Sequence, residues 1–333
     1  MRNVAVLLNP NARRMKKVRD LPRYAAERYG KETPLIVTQD LPALQREVKE
    51  IARRELDLLV MCGGDGTFRH FYETWFNVLG EGTPPPPVLP LPGGSQNYVC
   101  RDTGTYFGIF SFLKYLRQRQ LLASGEFRPE WLRVRERNLL RIDDPSAGKP
   151  QYGFAYTDGL FFRVGKAYYE NGADDIAALK AVWGTAVEGF FSKDRSRGVL
   201  APSQARVRWD RQNGIVTGHM TLLTSTLDRL LLDLEPFPEA DATGTGFHVF
   251  VLFSENIRQS VLHLALHGRK GSKGPRWPEP GVITTVVPEL SVEGSEGYAL
   301  EGELYYPPNG KTDFKMSLGP KVRLASLVPA LGL

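Results

Sequence analysis

The stretch Asp57-Leu58-Leu59-Val60-Met61-Cys62-Gly63-Gly64-Asp65-Gly66-Thr67 changes its hydrophobic pattern partway along. Residues 57–62 are apolar enough to lie inside a parallel sheet. From Phe68 the period becomes helical, with Phe68, Phe71, Tyr72, Trp75, Phe76 and Leu79 on one stripe. Between the two patterns sit three glycines, a carboxylate and a hydroxyl. A strand that runs through a glycine turn into a helix leaves backbone N–H groups unpaired at the helix start, where they face an anion. Glycine lets the anion approach the backbone, and Thr67 is placed to cap the helix. A lone Gly-Gly pair would mark only a tight turn. The ordered run Gly63-Gly64-Asp65-Gly66-Thr67 in this context points to a phosphate-handling loop.

Upstream, residues 3–8 read as a strand ending in Asn9-Pro10-Asn11-Ala12, followed by the cations Arg13, Arg14, Lys16, Lys17 and Arg19. Such charges usually coat a solvated helix face, but these follow a strand's C-terminal end, where α/β sheets bind ligands. A helix over 18–29 stops at Gly30. A strand over 34–38 precedes a helix that Asp40 caps with Pro42 just inside, its stripe being Leu41, Leu44, Val48, Ile51 and Ala52. Downstream, the proline run 84–87 leads into a strand over 88–91. A second glycine-rich turn follows, Pro92-Gly93-Gly94-Ser95-Gln96-Asn97. Strand and helix alternate from residue 3 to about 120, which predicts a parallel sheet with helices on both faces. Right-handed crossovers put both glycine-rich turns on one edge.

Beyond Glu126 short strand-like runs dominate, as in an antiparallel sandwich or barrel. A helix over 174–191 interrupts them, 269–280 is a basic Gly/Pro-rich loop, and 321–328 is a last strand. The fold class expected is therefore a three-layer α/β domain with a parallel sheet, then an antiparallel β-sandwich-like domain.

With 333 residues the chain suits two domains, and 42% apolar with 24% charged residues describes a soluble globular protein. The net charge of +6 suits an anionic ligand or membrane surface. No apolar run is long enough to span a bilayer, and no signal peptide is read after Met1. Cys62 and Cys100 form no disulfide framework and fit a reducing cytosol, with Cys62 read as a core thiol.

Taken together, these residues resemble the diacylglycerol kinase catalytic-domain family of lipid kinases, related to sphingosine and ceramide kinases and more distantly to NAD kinases. Gly63–Thr67 resembles its GGDGT loop, Asn9-Pro10 its opening Asn-Pro, and residues 92–97 its P-x-G-T-x-N nucleotide loop with Ser95 replacing Thr. Glu301-Gly302-Glu303 lies where the family has Asp-Gly-Glu. Arg69 and His70 stand where the family commonly has Asn-Glu, and Tyr98 where it has an acidic residue or His.

The resemblance implies a nucleotide-binding domain over 1–130, an acceptor domain over 131–319, and return of 320–333 to the first. It implies ATP held by Asn9, Gly63, Gly64, Asp65, Gly66, Thr67, Gly94, Ser95, Asn97 and Glu303, with Mg²⁺ on Asp65 and Glu303. Phosphoryl transfer needs positioning, charge neutralisation and a base for the acceptor hydroxyl. Glu301 and Asp65 compete for that last role. The acceptor implied is a lipid alcohol such as diacylglycerol, met in a cleft between the domains by a cytoplasmic enzyme in peripheral contact with the membrane. No nucleic-acid partner is expected, and a homodimer is left open. Two alternatives stand beside this: NAD-kinase-like activity on a soluble acceptor, and a lipid- or nucleotide-binding protein without catalysis.

Taken without the resemblance, Glu301 reads as an exposed sheet-edge carboxylate, and His263 and His267 as surface or packing residues. Phe161, Phe162, Tyr168, Tyr169, Trp183, Phe190 and Phe191 read as core more readily than as an acyl groove.

Overall fold

The computed structural model describes residues 3–17, 34–94, 97–105, 132–170, 201–209, 214–228, 237, 244–253 and 281–327. The helices expected over 18–29 and 174–191, the loop 269–280, Ser95, His263 and His267 lie outside them. The chain divides into two units, Met1–Asn138 with Pro320–Leu333, and Leu139–Gly319.

The first unit runs β1 (Val4–Leu8), β2 (Leu35–Val37), α1 (Leu41–Arg53), β3 (Leu58–Gly63), α2 (Asp65–Leu79), β4 (Val88–Pro92) and α3 (Tyr98–Thr103). Its strands are parallel in the order β2-β1-β3-β4, with Val6 opposite Leu35 on one side and Val60 on the other, and Val60 opposite Leu89. β3 is buried along its whole length, as its unbroken apolar run requires. Asp40 caps α1, its Oδ1 accepting the Ala43 amide at 2.7 Å, and Leu44, Val48 and Ile51 are buried while Leu41 faces solvent. The aromatic stripe of α2 is buried from Phe68 to Phe76. Its other side is largely buried too, with Arg69, Glu73 and Thr74 among the buried residues, and α1 packs against the helix. There Arg69 and Glu73, one helical turn apart, form a buried ion pair. Arg69 is thus part of the packing of α2.

The second unit holds two antiparallel arrays. β7 (Ala155–Thr157), β10 (Thr221–Ser225), β11 (Phe247–Leu252), β12 (Val282–Val287), β14 (Tyr298–Leu300) and β15 (Glu303–Tyr305) form one sheet, ordered β12-β11-β10-β7-β14-β15. The other has β8 (Arg206–Arg208), β9 (Ile215–Val216), β13 (Glu289–Ser295), β6 (Gln151–Gly153) and parts of two longer strands, β5 (Leu132–Asp143) and β16 (Thr312–Leu327). β5 and β16 each give residues to both units, and in the first unit β16 adds a parallel strand beside β4, Leu324 opposite Val88. Inward residues of the two arrays share one core, with Leu140, Tyr156, Val249, Val292, Tyr298 and Met316 among its members. This is the sandwich packing that alternating short strands dictate. α4 (Leu160–Glu170) follows β7. No helix among the described residues is long and apolar enough to cross a membrane.

Candidate functional site

From β1 the chain steps outward to β2 and then returns past β1 to β3, so the strand order reverses between β1 and β3. That reversal is where open parallel sheets bind ligands, just beyond the strands' carboxyl ends. The residues there are Asn9, after β1, and Gly63–Thr67, at the end of β3. They are bonded directly: Asn9 Nδ2 donates to Thr67 Oγ1 at 2.9 Å, and the Asn9 amide donates to the Cys62 carbonyl at 3.0 Å. Thr67 therefore does not cap α2 as expected. The helix starts earlier, with Gly64 as its N-cap and no side-chain bond there, and the Thr67 hydroxyl accepts from Asn9 instead.

The second glycine-rich turn is locked onto the first. Gly93 donates its amide to the Gly63 carbonyl at 2.7 Å, and Arg14 donates to the Gly93 carbonyl at 2.9 Å. A Cβ on Gly94 would fall 2.6 Å from the Gly64 Cα, and one on Gly93 would fall 3.0 Å from the Gly63 Cα. These glycines let two backbones touch, a role the sequence pattern alone does not reveal. Asn97, with φ of 57°, closes its own turn: Oδ1 accepts from the Gly94 amide at 2.8 Å and Nδ2 donates to the Gly94 carbonyl at 3.0 Å. What remains at the start of α2 are the half-buried amides of Gly64 and Gly66, with no acceptor among the described residues. Two amides at a helix N-terminus suit a phosphate oxygen.

Asp65 reaches across to the second turn. Its Oδ2 accepts the Asn97 amide at 2.7 Å and its Oδ1 the Val99 amide at 3.3 Å, so it caps α3 from another element. Burial raises its carboxyl from 3.8 to about 6, against the lowering effect of the Val99 and Asn97 amides. The folded state therefore holds this proton more tightly than the unfolded chain. The contribution of Asp65 to stability is full below about 4 and is lost as the pH rises through about 6. The Asn97 and Val99 amide resonances will titrate with a midpoint near 6. A midpoint at the ordinary carboxylate value would mean that the group stays hydrated. Beneath the turns, burial pushes the Cys62 thiol up to about 12, and Sγ lies 3.6 Å from Met15 Sδ, as befits a core thiol.

Glu301 and Glu303 belong to the second unit, in the β14–β15 hairpin. Leu300 pairs with Glu303, so Glu301 and Gly302 are the two loop residues, with φ of 54° and 79°. That is the left-handed geometry of a type I′ turn, which Asp-Gly or Asn-Gly adopt readily and glutamate seldom does. Glu301 is not the exposed edge carboxylate that its glutamate-rich surroundings imply: it is 6% exposed. Its Oε1 accepts the amides of Phe154 and, at 2.9 Å, Ala155, while its own amide donates to the Ala155 carbonyl at 3.0 Å. A glutamate at positive φ sits in a costly backbone conformation that its surroundings, the two amides included, must enforce. Glu303 is half-buried at the start of β15.

A buried pair escapes sequence reasoning altogether. Asp158 accepts the Leu222 amide at 2.7 Å and contacts His219 Nε2 at 3.0 Å, both side chains being buried. It pins the end of β7, the strand whose first amide holds Glu301. Nothing local in the sequence links residues so far apart. Among the described residues no group of three or more His, Cys, Asp and Glu side chains is placed to hold a metal. Both Asp65 oxygens accept backbone amides.

Residues 3–121 match the family model of the diacylglycerol kinase catalytic domain. A diacylglycerol kinase structure from Bacillus anthracis str. Sterne is similar over 99% of this chain and 98% of its own, at 13% identity and a TM-score of 0.62. A second solved protein of that strain matches over the same shares at 16% identity and a TM-score of 0.64. At such identities the likeness shows a shared two-domain fold. No curated protein sequence matches the chain.

Proposed function

We propose that this protein transfers the γ-phosphoryl group of ATP to the hydroxyl of a lipid alcohol, diacylglycerol or a relative. The observation that carries the reading is the bonding of three turns, after β1, β3 and β4, at the strand-order reversal, with the Gly64 and Gly66 amides left for phosphate. The catalytic-domain match over the same residues supports it. The Gly63–Thr67 and Gly94–Asn97 turns hold the nucleotide phosphates. Glu301 takes the hydroxyl proton as the acceptor oxygen bonds to the γ-phosphorus, and the bond to the β-phosphate bridging oxygen breaks with its electron pair leaving on ADP. The amides of Phe154 and Ala155 fix the plane of the Glu301 carboxylate for that transfer. Mg²⁺ bound with the nucleotide would neutralise phosphate charge, with Glu303 as a candidate ligand.

Purified protein supplied with labelled ATP and a panel of lipid alcohols will label one class of them, and Asp65→Ala will weaken nucleotide binding. No transfer to any lipid, together with unchanged nucleotide affinity in Asp65→Ala, would sink the reading. Release of NADP from NAD and ATP would replace it with a soluble acceptor.

A further inference from the structure

Among the described residues the exposed large aromatics gather in one place: Phe161 (44% exposed) and Tyr169 (53%) on α4, and Tyr306 (52%) just past β15. Phe161 and Tyr169 are thus surface residues, against the expectation of core, whereas Phe162 between them is buried. At about 100° per residue, Phe161, Gly165 and Tyr169 form one row along the helix, i, i+4 and i+8. A Cβ on Gly165 would lie 3.1 Å from Leu304 Cδ2, so Leu304 of β15 fills the gap between the two exposed rings. Phe162 packs on the Tyr306 ring, centroids 5.5 Å apart, and the Lys166 ammonium stands 5.9 Å from the centre of that ring. Glu296 is paired with Arg163 at 2.6 Å, which offsets its charge.

We propose that α4 and the β14–β15 hairpin form a docking surface for an anionic lipid bilayer, with Phe161, Tyr169 and Tyr306 entering the headgroup layer and Lys166 meeting lipid phosphate. Amphipathic rings sit at the boundary between water and hydrocarbon, and a lysine beside them favours anionic headgroups. The net charge of +6 adds the same bias over the whole chain. Glu301 lies in the turn of the same hairpin as Tyr306, no more than about 18 Å of extended chain away. A bilayer seated on these rings therefore presents the proposed acceptor to the hairpin that carries the proposed base, which a protein partner would not. The purpose of the surface rests on the lipid-alcohol reading; the test of the surface does not.

The test is flotation of the full chain with vesicles of phosphatidylcholine alone and of phosphatidylcholine with equimolar phosphatidylglycerol. Wild type will float with the mixed vesicles. Phe161→Ser/Tyr306→Ser will lose at least tenfold in apparent affinity, and Lys166→Glu will lose its preference for the anionic mixture. Phe161→Ser/Tyr169→Ser leaves the Phe162–Tyr306 contact intact and will lose affinity likewise, with an unaltered melting curve. Equal flotation of wild type and ring variants, or none by wild type, would overturn the surface. Short-chain acceptors dissolved as monomers separate this from the kinase reading, since the ring variants will phosphorylate them at the wild-type rate. Flotation that the ring variants lose, without phosphorylation of any acceptor, keeps the surface and ends the kinase reading. Phosphorylation without flotation does the reverse.

Discussion

Glu301→Gln will lower kcat by about 10²–10⁴, the range that a positioned general base contributes, with little change in KM or melting temperature. Glutamine keeps an oxygen where Oε1 now accepts the Phe154 and Ala155 amides, so the turn and its neighbours stay in place. Its amide nitrogen cannot take the acceptor's proton. Steady-state kinetics with urea unfolding on the same preparation separates the two effects. Glu301→Ala would fail in both, because it leaves buried amides without an acceptor, a loss of about 1–3 kcal/mol. An unchanged kcat in Glu301→Gln would remove Glu301 as the base and leave Asp65 as the other candidate. Glu301→Asp is shorter by one methylene, about 1.5 Å. It relieves the left-handed backbone and shortens the reach to the two amides.

Gly94→Ala will abolish tight nucleotide binding. The new methyl would lie 2.6 Å from the Gly64 Cα, and both sides of that contact are backbone, so no side chain can swing away. The two turns must part, breaking the Gly93–Gly63 bond and moving the amides proposed to receive phosphate. Overpacking of this kind costs about 1–3 kcal/mol of stability. Calorimetry will show nucleotide affinity down at least tenfold, or about 1.4 kcal/mol. Gly82→Ala is the matched control, because nothing lies within 4 Å of its Cβ position. Nucleotide affinity retained in Gly94→Ala would mean that the turns bind phosphate independently.

The parallel sheet was legible because β3 and β4 are short buried-type apolar runs that lead into glycine-rich turns, and α2 announces itself by its aromatic stripe. The sandwich was legible from the spacing of short strands. The candidate site was legible only as a set of motifs. The contact between Gly94 and Gly64 joins residues whose separation carries no periodicity, and Asp65 caps a helix in another part of the chain. Thr67 looked like a cap because threonine precedes the aromatic run, whereas glycine, which carries no side-chain signal, begins the helix. Without the resemblance, Glu301 is hard to place for a related reason. Composition describes its neighbours as exposed acids, yet the turn geometry turns this one inward onto two amides. Asp158 and His219 left no trace at all, since each is an ordinary residue until the fold brings them together.

The parallel strand that β16 adds beside β4 bears on how the molecule is made. During synthesis the N-terminal unit emerges with the outer edge of β4 unpaired, and the strand that covers it is at the far end of the chain. An apolar open edge of this kind invites pairing with other chains. Truncation before Pro320 would make that exposure permanent, so an N-terminal fragment ending near Asn138 will aggregate unless the closing strand is supplied in trans.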